Sequence, residues 1–126
     1  MRDDVFGVWL EREEYALGDT VRGKVLFPDP RHSELANVAA VKVAVRARVH
    51  GSGNSEAVTV LDCALHSGPP TTEELPFSAQ LPSSGPVSWQ GRHVKVTWEA
   101  VAELDIPWAI DPKRVLRFEV GPRRRG

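Results

Sequence analysis

The chain has 126 residues, 41% of them apolar and 26% charged, and a net charge of −1 at pH 7. That length supports one two-layer hydrophobic core, and the near-neutral balance argues against a dedicated nucleic-acid binder, which needs a basic excess to displace counterions. One cysteine excludes an internal disulfide, no basic-then-apolar leader opens the chain, and no run reaches the roughly 20 apolar residues of a membrane span, so the expected setting is cytoplasmic.

In chain order, the opening segment reads as a strand over about 5–13. Leu17-Gly18-Asp19 is a tight turn, with Gly18 supplying a left-handed conformation. Over 20–27, Val21, Gly23, Val25 and Phe27 alternate with Thr20, Arg22, Lys24 and Leu26, so one face is buried and the other wetted. Gly23 falls on the buried side, where a missing side chain makes room for a neighbouring aromatic. Pro28-Asp29-Pro30 stops this strand, and Ser33-Glu34-Leu35-Ala36 is the one stretch suited to a short helical turn. Val41, Val43, Val45, Ala47 and Val49 then alternate with Lys42, Ala44, Arg46, Arg48 and His50. Gly51-Ser52-Gly53-Asn54 follows as a hairpin connection. Strands are expected over about 57–66 and 75–81, and Pro76, which lacks an amide proton, points to a strand start or an edge.

The longest alternation runs over 92–106. Val94, Val96, Trp98, Ala100, Ala102, Leu104 and Ile106 lie on one side, and His93, Lys95, Thr97, Glu99, Val101, Glu103 and Asp105 on the other. A helix would scatter those apolar residues around its whole surface, so the strand reading wins. A last strand covers about 115–120, and Arg123-Arg124-Arg125 ends the chain. Ten prolines and ten glycines, nearly all between strand candidates, suit tight antiparallel connections. The expected fold is all-β: a two-sheet antiparallel β-sandwich of seven to eight strands, one domain over 1–126, with 121–126 a flexible basic tail.

Three landmarks in order carry a family resemblance. The first is Tyr15-Ala16-Leu17-Gly18-Asp19-Thr20-Val21-Arg22-Gly23-Lys24-Val25, an aromatic before a Gly-acid turn and a Val-x-Gly-x-Val strand. The second is the valine-alternating strand from Val41 to Val49. The third is Leu75-Pro76-Phe77-Ser78-Ala79-Gln80-Leu81-Pro82, then Pro86-Val87-Ser88-Trp89-Gln90-Gly91 and the long strand ending at Asp105-Ile106-Pro107-Trp108. Their order and spacing over about 5–120 resemble the arrestin-like family, an immunoglobulin-like class of sandwich. The likeness is to the amino-terminal one of two such domains in arrestins, retromer cargo-adaptor subunits and bacterial sporulation-control proteins. It implies a protein-interaction adaptor or scaffold rather than an enzyme. The adjacent lysine pair that receptor arrestins carry after their first strand is absent here, where Glu11, Glu13 and Glu14 stand, so receptor binding and phosphate sensing are not carried over.

Catalytic signals are poor. His32, His50, His66 and His93 form no close ligand pair, and no second cysteine accompanies Cys63, so no metal or other cofactor is expected. Cys63 falls in a strand and is expected to be a buried, inert thiol. Glu13-Glu14 and Glu73-Glu74 are strand neighbours that point to opposite faces, while Glu99 and Glu103 share a face but stand roughly 13 Å apart, too far for an acid/base pair. Ser83, Ser84 and Ser88 lie in no Gly-x-Ser-x-Gly elbow.

Binding signals are more concrete. Arg22 and Lys24 share the outward side of one strand, and Lys42, Arg46 and Arg48 that of another. If the two strands are neighbours, the five make a basic stripe for an acidic or phosphorylated protein segment. The bland alternative is a solvated face whose charges pair weakly with Glu99, Glu103 or Asp105. Exposed edge strands offer a second route, to an extended peptide or to a homodimer. Trp89, placed in a loop, is an aromatic anchor for either. A competing reading is a small-ligand or carbohydrate-binding sandwich that stacks its ligand on Trp89 and Trp108.

Overall fold

Alternation in the sequence becomes a pair of packed sheets in the computed structural model, which describes residues 1–51 and 54–123 with the side chains of 54 and 55 excepted. The strands are β1 (Gly7–Leu10), β2 (Glu14–Ala16), β3 (Thr20–Leu26), β4 (Ala40–Gly51), β5 (Asn54–Ser67), β6 (Glu74–Gln80), β7 (Trp89–Gln90), β8 (Val94–Asp105) and β9 (Lys113–Gly121). A smaller sheet has the order β1-β3-β6, and a larger one β2-β9-β8-β4-β5 with β7 joined to β8. Among the described residues a single 3-10 turn, Ser33–Leu35, falls where the helical turn was expected. The midpoint of the β4–β5 connection (Ser52, Gly53) and the arginine tail (124–126) lie outside the described residues.

The core fills the space between the two inner faces. The small sheet contributes Val21, Val25, Phe77 and Ala79, and the large one Val41, Val43, Val45, Ala47, Trp98, Ala100, Ala102, Leu104, Phe118 and Val120, all buried. Trp98 is fully enclosed. Its indole Nε1 donates to the Pro86 carbonyl at 3.0 Å, so the polar end of the ring is satisfied and the Pro-rich loop is tied to the core. Phe118 packs 6.0 Å from it, centre to centre, and meets Tyr15 edge-on at 5.5 Å.

Gly23 sits inward between Leu10 on β1 and Phe77 on β6. A Cβ here would stand 2.5 Å from the Trp9 carbonyl oxygen, 2.6 Å from Phe77 Cζ and 2.8 Å from Leu10 Cδ2. The backbone oxygen cannot rotate away, so Gly23→Ala forces the small sheet to shift. The expected cost is about 1–3 kcal/mol of unfolding free energy, read by urea denaturation. Gly18 has φ +89, the left-handed turn expected of it, and the turn is closed by the Ala16 amide donating to Asp19 Oδ2 at 2.9 Å.

Four departures from the sequence reading have local causes. The opening strand breaks into β1 and β2 because exposed Glu11, Arg12 and Glu13 carry the chain from the small sheet to the large one. There β2 pairs with β9 in parallel, the one parallel pair in an otherwise antiparallel arrangement of the described strands. Trp89 lies in the short strand β7, where it pairs with Val96, and not in a loop. Cys63 is exposed, against the expectation of a buried thiol. It faces inward opposite Val43, but β5 is the rim of the larger sheet and the small sheet covers it only in part.

Candidate functional site

The structure divides the expected basic stripe. Arg22 and Lys24 are on β3, whose neighbours are β1 and β6, whereas Lys42, Arg46 and Arg48 are on β4, whose neighbours are β5 and β8. The two groups therefore occupy the outer faces of different sheets. Lys24 is already committed: its ammonium lies 3.0 Å from Glu74 Oε2 and 5.4 Å from the centre of the Trp9 ring. Arg22 stands exposed across from Ser78.

Lys42, Arg46 and Arg48 gain cationic neighbours that the sequence alone did not place beside them. Strand pairing sets Lys42, Glu103 and Lys113 in one row across β4, β8 and β9, and Arg46, Glu99 and Arg117 in a second. Each row is cation, carboxylate, cation. Arg48 lies opposite Thr97, and His50 opposite Lys95. Between the two rows runs an apolar one, Ala44, Val101 and Val115, with Val115 52% exposed.

Glu99 organises this face. It is 3% exposed, although it belongs to the outward set of β8. Arg46 Nε donates to its Oε1 at 2.8 Å, and Arg48 Nη1 lies 3.9 Å from the same oxygen. The carboxylate holds two guanidinium groups over one point, and Arg117 stands directly across from it on β9. Glu103 makes a longer contact, 3.9 Å, with Lys113. Among the described residues no ion pair engages Lys42, Lys95 or Arg117. Asp62 on β5 and Glu119 on β9 flank the face with negative charge, but the rows between them carry a cationic surplus.

Sequence reasoning named Arg46 and Arg48 and offered Glu99 as a weak, solvated partner for them, and it missed the burial of Glu99 and the cations Arg117, Lys113 and Lys95. The alternation put Glu99 on the wetted side, and only the strand order sets it between Arg46 and Arg117. Trp89, 61% exposed, and Trp108, fully exposed, do not form one stacking platform. Trp89 pairs at the start of β8 and Trp108 follows its end, which puts about ten strand residues, roughly 33 Å, between them. Among the described residues no cluster of three or more His, Cys, Asp or Glu could hold a metal ion, and no helix is long and apolar enough to cross a membrane.

The family described as arrestin (or S-antigen), N-terminal domain, matches residues 64–123, which hold the end of β5 and everything through β9. Among solved structures, that of Spo0M, a sporulation control protein from Bacillus subtilis, superposes with a TM-score of 0.63 at 22% identity, over 92% of this chain and 48% of that one. The chain thus spans about half the length of that protein. No curated protein matches the sequence.

Proposed function

We propose that this arrestin-like chain is a non-catalytic cytoplasmic adaptor whose larger sheet docks an acidic protein segment on its outer face. The observation that carries the reading is the pair of cation–carboxylate–cation rows, with Glu99 buried beneath Arg46 and Arg48. Arginines fixed in place lose less freedom on binding a carboxylate than free ones do, which favours affinity.

The spacing of the rows gives the ligand a pattern. From Lys42 to Arg46 is four strand residues, roughly 13 Å. An extended segment lying along the strands repeats at the same rise and turns every second side chain to the sheet. Carboxylates at positions i and i+4 then meet the two rows, and an apolar residue at i+2 covers Val101 and Val115. The favoured segment is acidic-x-aliphatic-x-acidic, in extended form.

Fluorescence anisotropy tests this with a labelled Asp-Ser-Val-Ser-Asp peptide and a Lys-Ser-Val-Ser-Lys control. The wild type is expected to bind the first and not the second. Arg48→Ala with Arg117→Ala, both exposed, should weaken binding by at least about tenfold, or 1.4 kcal/mol, with the fold intact. Equal binding of both peptides, or of one peptide by both proteins, removes the reading.

A further inference from the structure

We infer that the free edge of β5 is a self-association surface, which pairs with β5 of a second copy in antiparallel register about Cys63. This surface is separate from the face of β4, β8 and β9 and does not depend on the acidic-segment reading.

Unpaired backbone groups at the rim of a sheet are a template for another strand. Among the described residues five strands have a neighbour on one side only, and four of them are guarded. β1, β2 and β7 have four, three and two residues. β6 carries Pro76 near its start, which removes one donor from the edge. β5 differs: it has 14 residues, no proline, no lysine or arginine, and only Glu56 and Asp62 as charges. Its side chains are also short of cover. Val58 is 40% exposed, Cys63 is exposed, and Leu61 and Leu65 are only partly buried against the core. Irregularities in the pairing with β4, near Val60 and near Leu65, bracket a regular stretch from Leu61 to Ala64. A bulge twists an edge away from a neighbour, so this bracketed window is where a second strand can pair, and its limits help to set the register.

The window is complementary to itself. With the two-fold axis at Cys63, Asp62 lies across from the second copy's Ala64, and the two thiols face each other. The thiols meet on the inner side, and the lone carboxylate meets an alanine on the outer side. One residue earlier, the axis would set Asp62 against itself, and like charges directly opposite are destabilising. A pair on a two-fold axis uses the same rim on both copies, so the pairing closes at a dimer.

Charge swaps read the register. Ala64 is exposed and lies across β4 from Lys42, so Ala64→Glu leaves the monomer sound while it sets a new carboxylate against Asp62 of the other copy, twice per dimer. Sedimentation equilibrium is expected to show a wild-type dimer and a dissociation constant raised roughly three- to thirtyfold by A64E. The double variant A64E/D62K should recover the dimer, because the ammonium introduced at position 62 then meets the carboxylate introduced at position 64. Diamide, which takes up the two thiol hydrogens as one S–S bond forms, should link Cys63 to Cys63 in the wild type and less in A64E. Strands directly opposite hold their Cα atoms about 4.5–5.5 Å apart, inside the range a disulfide spans. A monomer up to about 1 mM, a dimer unmoved by A64E, or a wild-type dimer that diamide does not link overturns the inference.

Discussion

Arg46→Ala is expected to lower the unfolding free energy by about 2–4 kcal/mol, more than a partly exposed arginine ordinarily contributes. The size comes from what it leaves behind. The Glu99 side chain is 4% exposed and that of Arg46 34%, so the truncation strands a carboxylate that water can hardly reach. Arg48, 3.9 Å away, replaces only part of the lost interaction. The reverse deletion is milder: Glu99→Gln keeps the shape of the side chain, and the arginines it releases turn to solvent, for about 1 kcal/mol or less. The double variant Arg46→Ala/Glu99→Gln should then be more stable than Arg46→Ala alone, with a coupling energy above about 1 kcal/mol. Urea denaturation of the four proteins gives that number. Additive costs would mean that the pair is a solvated surface contact, and the organising role of Glu99 would be lost. The asymmetry also explains why Arg48 and Arg117, rather than Arg46, are the variants suited to binding experiments.

Trp98→Ala is expected to cost about 3–5 kcal/mol, a large part of the roughly 5–15 kcal/mol that holds most domains folded. The ring is fully enclosed, packs on Phe118, and holds the Pro-rich loop through its hydrogen bond to the Pro86 carbonyl. That loop in turn leads to Ser88, whose amide donates to the Val120 carbonyl at 2.8 Å and whose Oγ accepts from the Val120 amide at 2.8 Å. Loss of Trp98 therefore opens a cavity and slackens the tie between loop and β9 together. Trp98→Phe separates the two: it keeps much of the packing, leaves the Pro86 carbonyl without its donor, and should cost about half as much. Thermal unfolding and tryptophan emission report both. A midpoint for Trp98→Ala within about 2 °C of the wild type would contradict its central place in the core.

The inner faces of the strands were readable from alternation because burial demands apolar side chains at every second residue. Val41 to Ala47 and Trp98 to Leu104 obey it fully. Val94 does not, since it belongs to the inward set but is 42% exposed, at the start of β8, whose first two residues are both exposed. Sheet order was not readable, because alternation is the same whichever strand lies alongside. That is why Arg22 and Lys24 could be imagined beside Lys42, Arg46 and Arg48, and why Glu99 passed for a wetted residue. Its cross-strand neighbours Arg46 and Arg117 are 53 and 18 positions away in the chain and beside it only across the sheet. Cys63 was misjudged for a similar reason: it has an inward direction, but at the rim of a larger sheet that direction does not mean cover.

Amide chemical-shift mapping with 15N-labelled protein and the Asp-Ser-Val-Ser-Asp peptide tests the docking face most directly. Shifts should concentrate at Lys42, Arg46 and Arg48 on β4, Lys95 and Val101 on β8, and Val115 and Arg117 on β9. Shifts gathered instead on β1, β3 and β6, or none at saturating peptide, would place acidic-segment binding elsewhere or nowhere on this chain.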